Sequence, residues 1–150
     1  MNDEVSLIIT SCGRFDLLEE TLDSFFKYNT YPIKKIIITE DSTEGNKLKK
    51  LVSKYENQNF QLIVNETRLG QLKSIDKAYK EVDTEYVFHC EDDWEFFREG
   101  FIEKSIELLK EDEKILIVGG RAKEDYVEGF FFDESEDYVS KSGERFYKVK

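Results

Sequence analysis

Short apolar runs alternate with amphipathic stretches along most of this chain, and that alternation restricts the fold to few topologies. Val5 to Thr10 is a near-continuous apolar run, and Ile36 to Thr39, Phe60 to Val64, Tyr86 to Cys90 and Ile115 to Val118 repeat the pattern. Runs of this kind mark strands covered on both faces. Between them apolar residues recur at helical spacing: Leu18, Leu22, Phe25 and Phe26, then Leu48, Leu51, Val52 and Tyr55, then Leu72, Ile75, Ala78, Tyr79 and Val82, then Phe101 to Leu109. The order βαβαβαβαβ predicts an α/β fold, a three-layer α/β/α sandwich with a mainly parallel, Rossmann-like sheet and right-handed crossovers. Asp16 and Glu19 form a capping pair for the first helix, which ends before Pro32. After Gly119-Gly120-Arg121 the pattern changes: Tyr126 to Phe132 and Phe146 to Val149 predict a C-terminal antiparallel hairpin, joined by the exposed acidic loop Asp133 to Asp137 and a Ser142-Gly143 turn. The whole is expected to be one domain, with a core over residues 1–121 and an extension over 122–150.

Ligands of such sheets bind at the carboxyl ends of the strands, and polar residues collect there. The sharpest case is Tyr86-Val87-Phe88-His89-Cys90-Glu91-Asp92-Asp93-Trp94, an apolar run ending in three carboxylates. Adjacent like charges repel unless a cation or several donors face them. Hard divalent cations prefer carboxylate oxygens and keep positions open for phosphates, so this tip suits Mn2+ or Mg2+ against a diphosphate; the alternative is a solvated acidic turn. Asp41, at the end of the second strand, is an acceptor for a base or ribose group, or else a cap of the next helix. Arg14, Arg68, Lys73 and Arg121 are the cations nearest this rim, as phosphate donors or as surface ion-pair residues. His89 reads as a packed core histidine, and Trp94 either stacks on a sugar or packs on the next helix.

Composition removes several classes of partner. The 150 residues carry a net charge of −11 with pI near 4.7, and the cations form no stripe, so nucleic acid and anionic membrane surfaces are poor partners. The acidic N-terminus leads into an apolar stretch too short for a signal peptide or membrane span, so the cytoplasm is the expected location. Cys12 and Cys90 form no disulfide framework and read as reduced.

These residues resemble a family. Over residues 5 to 121 the chain is similar to the nucleotide-sugar-binding half of a GT-A-fold glycosyltransferase of the family 2 type. Leu7-Ile8-Ile9-Thr10-Ser11-Cys12-Gly13-Arg14 resembles the family's first strand and polar loop, and Ile37-Ile38-Thr39-Glu40-Asp41-Ser42-Thr43 its strand-end acidic motif. Asn65-Glu66-Thr67-Arg68-Leu69-Gly70-Gln71-Leu72-Lys73-Ser74 resembles the loop and helix start before the metal motif, and Glu91-Asp92-Asp93 stands at the "DXD" triplet. The resemblance implies nucleotide contacts by Thr10, Ser11, Gly13, Arg14, Asp41, Arg68, Lys73 and Asp92, and metal ligation by Asp93 and Glu91. It implies single-displacement transfer, with inversion, from a nucleoside-diphosphate sugar, UDP-sugar favoured, to a hydroxyl of a glycan, lipid or protein acceptor. The base that takes the acceptor proton is not fixed by these motifs. Glu124, Asp125, Glu136 and Asp137 are available carboxylates, with Asp137 and Glu136 faintly echoing a family acidic motif.

Fewer residues follow the triplet than the family generally uses for its acceptor site, so a truncated chain or a non-catalytic nucleotide-sugar-binding module is the alternative. A phosphoacceptor receiver domain is also small, acidic and parallel α/β. It needs an acidic pair after the first strand and a lone Asp after the third, where this chain has Ser11-Cys12-Gly13-Arg14 and Asn65-Glu66.

Overall fold

The computed structural model of the chain describes residues 3–120 and 135–149, in two compact units, Met1–Gly100 and Phe101–Lys150. The first unit holds a four-stranded sheet, β1 (Val5–Ser11), β2 (Ile33–Glu40), β3 (Phe60–Val64) and β4 (Tyr86–Glu91), in the order β3-β2-β1-β4 with every pairing parallel. The crossovers carry α1 (Phe15–Tyr28), α2 (Gly45–Val52) and α3 (Gln71–Lys80). Strand β1 lies between β2 and β4 and is buried along its whole length, which is why it reads as an unbroken apolar run.

The strand pleat divides the core into two layers. Ile8, Ile37, Ile63 and Val87 pack with Ala78 and Val82 on the α3 side. On the other face Phe25 of α1 meets Phe88 and Phe96 at ring-centroid distances of 6.3 and 5.3 Å, and Phe26 meets Tyr55 at 5.1 Å and Phe60 at 6.4 Å. Helices therefore cover both faces of a parallel sheet, the architecture expected from the alternation.

Local details depart from that expectation. Helix α1 starts one residue before Asp16, with Arg14 at its N-cap and no side-chain cap bond. Asp16 sits in the first turn instead, and Glu19 pairs with Lys54. The helix stops where Asn29 turns the chain, its side chain accepting from the Tyr31 N–H at 3.2 Å and donating to the Tyr31 carbonyl at 2.7 Å. Helix α2 ends at Val52, so Tyr55 lies beyond it and packs as a loop residue against Phe26. Leu72, expected on the apolar face of α3, is 82% exposed.

The second unit contains α4 (Phe101–Glu111) and an antiparallel hairpin of β5 (Ser135–Val139) and β6 (Arg145–Val149). The Ser142-Gly143 turn is as expected, with Gly143 at φ +88°. The expected first strand, Tyr126 to Phe132, lies outside the described residues. Ser135, Glu136 and Asp137, expected in an exposed loop, stand in β5, because the register sets Glu136 opposite Lys148 and offsets its charge. Glu111 joins α4 to the hairpin by accepting the Tyr138 hydroxyl at 2.7 Å and the Lys141 N–H at 2.6 Å. Ile115 to Val118 forms no strand, and Leu116 and Ile117 are 83% and 86% exposed. Four apolar residues before Gly119-Gly120 fit a strand by pattern, but a strand also needs a hydrogen-bonded neighbour, and none is present among the described residues. No helix among the described residues is long and apolar enough to cross a membrane.

Candidate functional site

The sheet ladder runs on past the strand ends and so fixes the loops at one edge. Asp41 N–H donates to the Ser11 carbonyl at 3.0 Å, Asp92 N–H to the Thr10 carbonyl at 3.2 Å, and Asn65 N–H to the Glu40 carbonyl at 2.9 Å. These bonds bring the tips of β1, β2, β3 and β4 side by side. Of the residues expected there, Thr10, Ser11, Gly13, Arg14, Asp41, Glu91, Asp92 and Asp93 stand on or directly after these strand ends, and Arg68 and Lys73 follow on the β3–α3 loop and on α3. Thr10 and Ser11 are buried at 7% and 6% exposure. Arg68 and Lys73 are exposed.

The acidic triplet does not converge on one point. Glu91, last in β4, shares its face with Val87 and His89 and is held by the Gln71 amide at the start of α3. Asp92 turns to the opposite side, toward α1, and is 1% exposed. Both its oxygens meet Arg14, Oδ1 with Nη2 and Oδ2 with Nε at 3.3 Å, and the Cys12 N–H donates to Oδ2 at 3.4 Å. Asp93 engages the same guanidinium through Oδ2 at 3.0 Å from Nη1. Arg14 thereby supplies the positive charge that the triplet requires, and the hydrogen bond to Asp92 holds its guanidinium above the ordinary value. Among the described residues no three His, Cys, Asp or Glu side chains gather as a ready-made metal site. The donors are nonetheless hard carboxylate oxygens, and Asp93 keeps its side chain 40% exposed with one oxygen outside the Arg14 pair, which fits an oxygen-preferring divalent cation.

Two buried carboxylates organise the remaining tips. Glu40, fully buried, accepts the Gly13 and Ser42 N–H groups on Oε1, both at 2.8 Å, and ties the β1 loop to the β2 loop. Gly13 is required at this junction: its φ is +74°, and a Cβ there would lie 3.2 Å from the Cβ of Ser42. Asp41, 4% exposed, accepts the Asn65 amide, the Leu69 N–H and the Gly70 N–H, each at 2.8 Å. It does not cap α2, whose N-cap is Glu44 with no side-chain bond. Burial alone raises the Asp41 carboxyl, but the Leu69 N–H, the Asn65 amide, the Gly70 N–H and the charge of Arg68 outweigh it and hold the group below the ordinary carboxylate range. Asn65 continues the network to the Ser74 hydroxyl at 2.9 Å and to Lys77 at 2.7 Å.

Glu40, Asn65 and Gln71 carry no separate role in the sequence reading. A signal exists for Glu40, which falls in step with Ile36 and Ile38 on an inward face of β2. For Asn65 and Gln71 the sequence holds none, since their partners are set by tertiary contacts.

The other expectations resolve by packing. His89 is half-buried and lies 3.3 Å from the Tyr79 hydroxyl through Nδ1, and burial lowers its pKa against the opposing pull of Glu91. Trp94 packs edge-on to Phe88 at 6.4 Å and beside Phe96 at 6.2 Å. Cys12 and Cys90 are free, Cys12 directly after β1 and Cys90 in the neighbouring β4, with Cys90 buried and its thiol pushed up by that burial. Glu136 and Asp137 stand in β5 of the second unit, and Arg121, Glu124 and Asp125 lie outside the described residues. A hollow of about 430 Å³ lined by Phe26, Tyr31, Pro32 and Tyr55 lies at the amino end of β2, away from these strand tips.

One residue at this edge also holds a strained backbone. Thr43, in the β2–α2 loop, has φ +71°, a region disfavoured for β-branched residues by about 1–2 kcal/mol. Glycine removes that cost while adding about 0.5–1 kcal/mol of unfolded-state entropy. Thr43→Gly is therefore expected to raise stability by up to about 1 kcal/mol, read as a higher midpoint in urea; a lower midpoint would show that the hydroxyl or methyl makes compensating contacts.

A parallel α/β unit with its charged loops gathered at the strand carboxyl ends belongs to the class of open α/β domains that bind ligands at that edge. Residues 6–149 match Glycosyl transferase family 2, and the chain belongs to that family. No match was found among curated proteins. Among solved structures, the mannosyltransferase PcManGT from Pyrobaculum calidifontis, in complex with GDP-Man and Mn2+, superposes with TM-score 0.63 at 18% identity over 71% of this chain and 32% of its own. S. aureus TarS 1-349 in complex with UDP gives TM-score 0.64 at 22% identity over 88% of this chain and 40% of its own. A structure of S. aureus TarS gives 0.65 at 21% over 92% and 26%. The fold is the GT-A fold of these proteins, and the chain spans less than half the length of each.

Proposed function

We propose that this chain is the nucleotide-sugar-binding part of a glycosyltransferase that moves a sugar, with inversion, from a nucleoside-diphosphate sugar to an acceptor hydroxyl. The observation that carries the reading is the gathering of Arg14, Asp41, Asp92 and Asp93 at the carboxyl ends of β1, β2 and β4 in a member of Glycosyl transferase family 2. Asp93, with Glu91 beside it, holds Mn2+ or Mg2+; when bound, the cation neutralises charge on the departing diphosphate. Arg14, Arg68 and Lys73 donate to phosphate oxygens, and preorganised donors of this kind stabilise the leaving group as its charge develops. Asp92 orients Arg14. Thr10, Ser11, Gly13 and Asp41 shape the nucleoside end, with a UDP-sugar favoured; the similar structures hold UDP in one case and GDP-Man in another. Asp137 and Glu136 are the candidate bases for the acceptor proton. The free Cys12 and Cys90 accord with a reducing, cytoplasmic location.

Calorimetry of UDP binding with Mn2+ and with EDTA tests this. Affinity is expected to fall at least about tenfold in EDTA and equally in Asp93→Ala, because a diphosphate then faces uncompensated carboxylates. Equal affinity under both conditions would sink the reading. A second reading, a binding module without transfer activity, needs the same nucleotide contacts but no acceptor site. Hydrolysis of the donor sugar in the presence of Mn2+ separates the two, since it needs no acceptor site.

A further inference from the structure

We infer that Arg14 is a built-in counter-cation that a divalent metal must displace from Asp93, and that Arg14 therefore sets the metal affinity of this site. The inference rests on the metal-dependent reading above. Its basis is the asymmetry of the two ion pairs made by one guanidinium. Asp92 is 1% exposed and meets Arg14 with both oxygens, with the Cys12 N–H as a further donor. Separating that pair leaves a buried charge without a partner, which is strongly unfavourable. Asp93 is 40% exposed and gives Arg14 one oxygen at 3.0 Å, a contact of the kind that contributes little to stability.

An incoming cation thus meets one carboxylate that yields easily and one that does not. It takes Asp93, and Arg14 stays on Asp92, anchored at the head of α1 behind the Gly13 junction that Glu40 holds. The Nη1 donor that leaves Asp93 becomes available to another acceptor, and a phosphate oxygen has the matching chemistry. Metal entry and the release of a phosphate donor are then one event at one residue. Glu91 gives up no contact with Arg14 in the exchange, because its partner is Gln71.

The test is Mn2+ binding to the whole chain without nucleotide, read by electron paramagnetic resonance of free Mn2+ and by calorimetry. Arg14→Gln removes the competing charge and is expected to tighten Mn2+ binding about tenfold or more. Arg14→Lys, which keeps the charge without the two-pronged fork, is expected to fall between Arg14→Gln and the parent protein. Circular dichroism establishes that each variant is folded. If Arg14→Gln is unfolded, an Arg14→Lys protein that binds Mn2+ more tightly than the parent supports the inference, and one that binds equally overturns it. In the parent protein, the Arg14 Nε–H resonance is expected to shift on titration with diamagnetic Mg2+ yet stay protected, because Asp92 retains it. Equal or weaker Mn2+ binding by folded Arg14→Gln, no Mn2+ binding by any form, or an Nε–H signal blind to Mg2+ would each overturn the inference. None of these readouts requires nucleotide, so a failure of UDP to bind counts against the glycosyltransferase reading alone.

Discussion

Asp41→Asn is expected to lower the unfolding free energy by about 2–3 kcal/mol, the range for losing charge-assisted bonds to buried donors. The carboxylate accepts three N–H groups from the β3–α3 loop and from Asn65. An amide in its place offers one acceptor oxygen and turns an NH2 group toward a backbone donor. Urea unfolding at neutral pH measures the loss, and a change under about 0.5 kcal/mol would mean that these contacts do not hold the loop. The pH dependence has a definite sign. Since the folded carboxyl titrates below its ordinary 3.8, its contribution is fully present above that pH and disappears as the pH falls through the folded-state value. Asp41→Asn should therefore flatten the acid limb of the stability curve.

Glu40 gives the second large effect and an internal control. Glu40→Ala removes the shared acceptor of Gly13 and Ser42 and leaves a cavity at a fully buried site, so a loss of about 3 kcal/mol is expected. Glu40→Gln keeps an acceptor for both N–H groups. It also removes a buried charge whose other oxygen, Oε2, has no hydrogen-bond partner among the described residues. That variant should lose less than about 1 kcal/mol. Comparable losses in both would show that the carboxylate charge, and not the bridging oxygen, matters at this junction.

The layered α/β architecture was legible in the sequence because burial on both faces forces continuous apolar strands, and β1, β2 and β4 carry that signature plainly. Ile115 to Val118 carries it too, yet forms no strand, since apolar pattern reports a wish for burial and not the presence of a neighbour. Leu72 failed for the converse reason: helical spacing places it with Ile75 and Ala78, but α3 turns that position outward. At the site, the residues collected at the sheet edge follow from topology alone. Their partners do not. The strand pleat sends Glu91 and Asp92 to opposite faces, so a triplet contiguous in sequence is split between Gln71 and Arg14. The choice of Arg14 as its counter-charge depends on the start of α1, which the expected cap at Asp16 misplaced by two positions.

Strand β1 is hydrogen-bonded along both edges and buried throughout its seven residues. Its amide protons therefore exchange with deuterated solvent only when the whole sheet comes apart, whereas helix ends and loop tips open locally at far lower cost. Thr10 and Ser11 belong to this slowest-exchanging segment, and Glu40 and Asp92 are attached to it by ladder bonds. The backbone frame of the site and the global fold thus share one opening event. Occupancy of the site can redistribute side chains such as Arg14, while isotope exchange in the frame beneath them follows the free energy of complete unfolding.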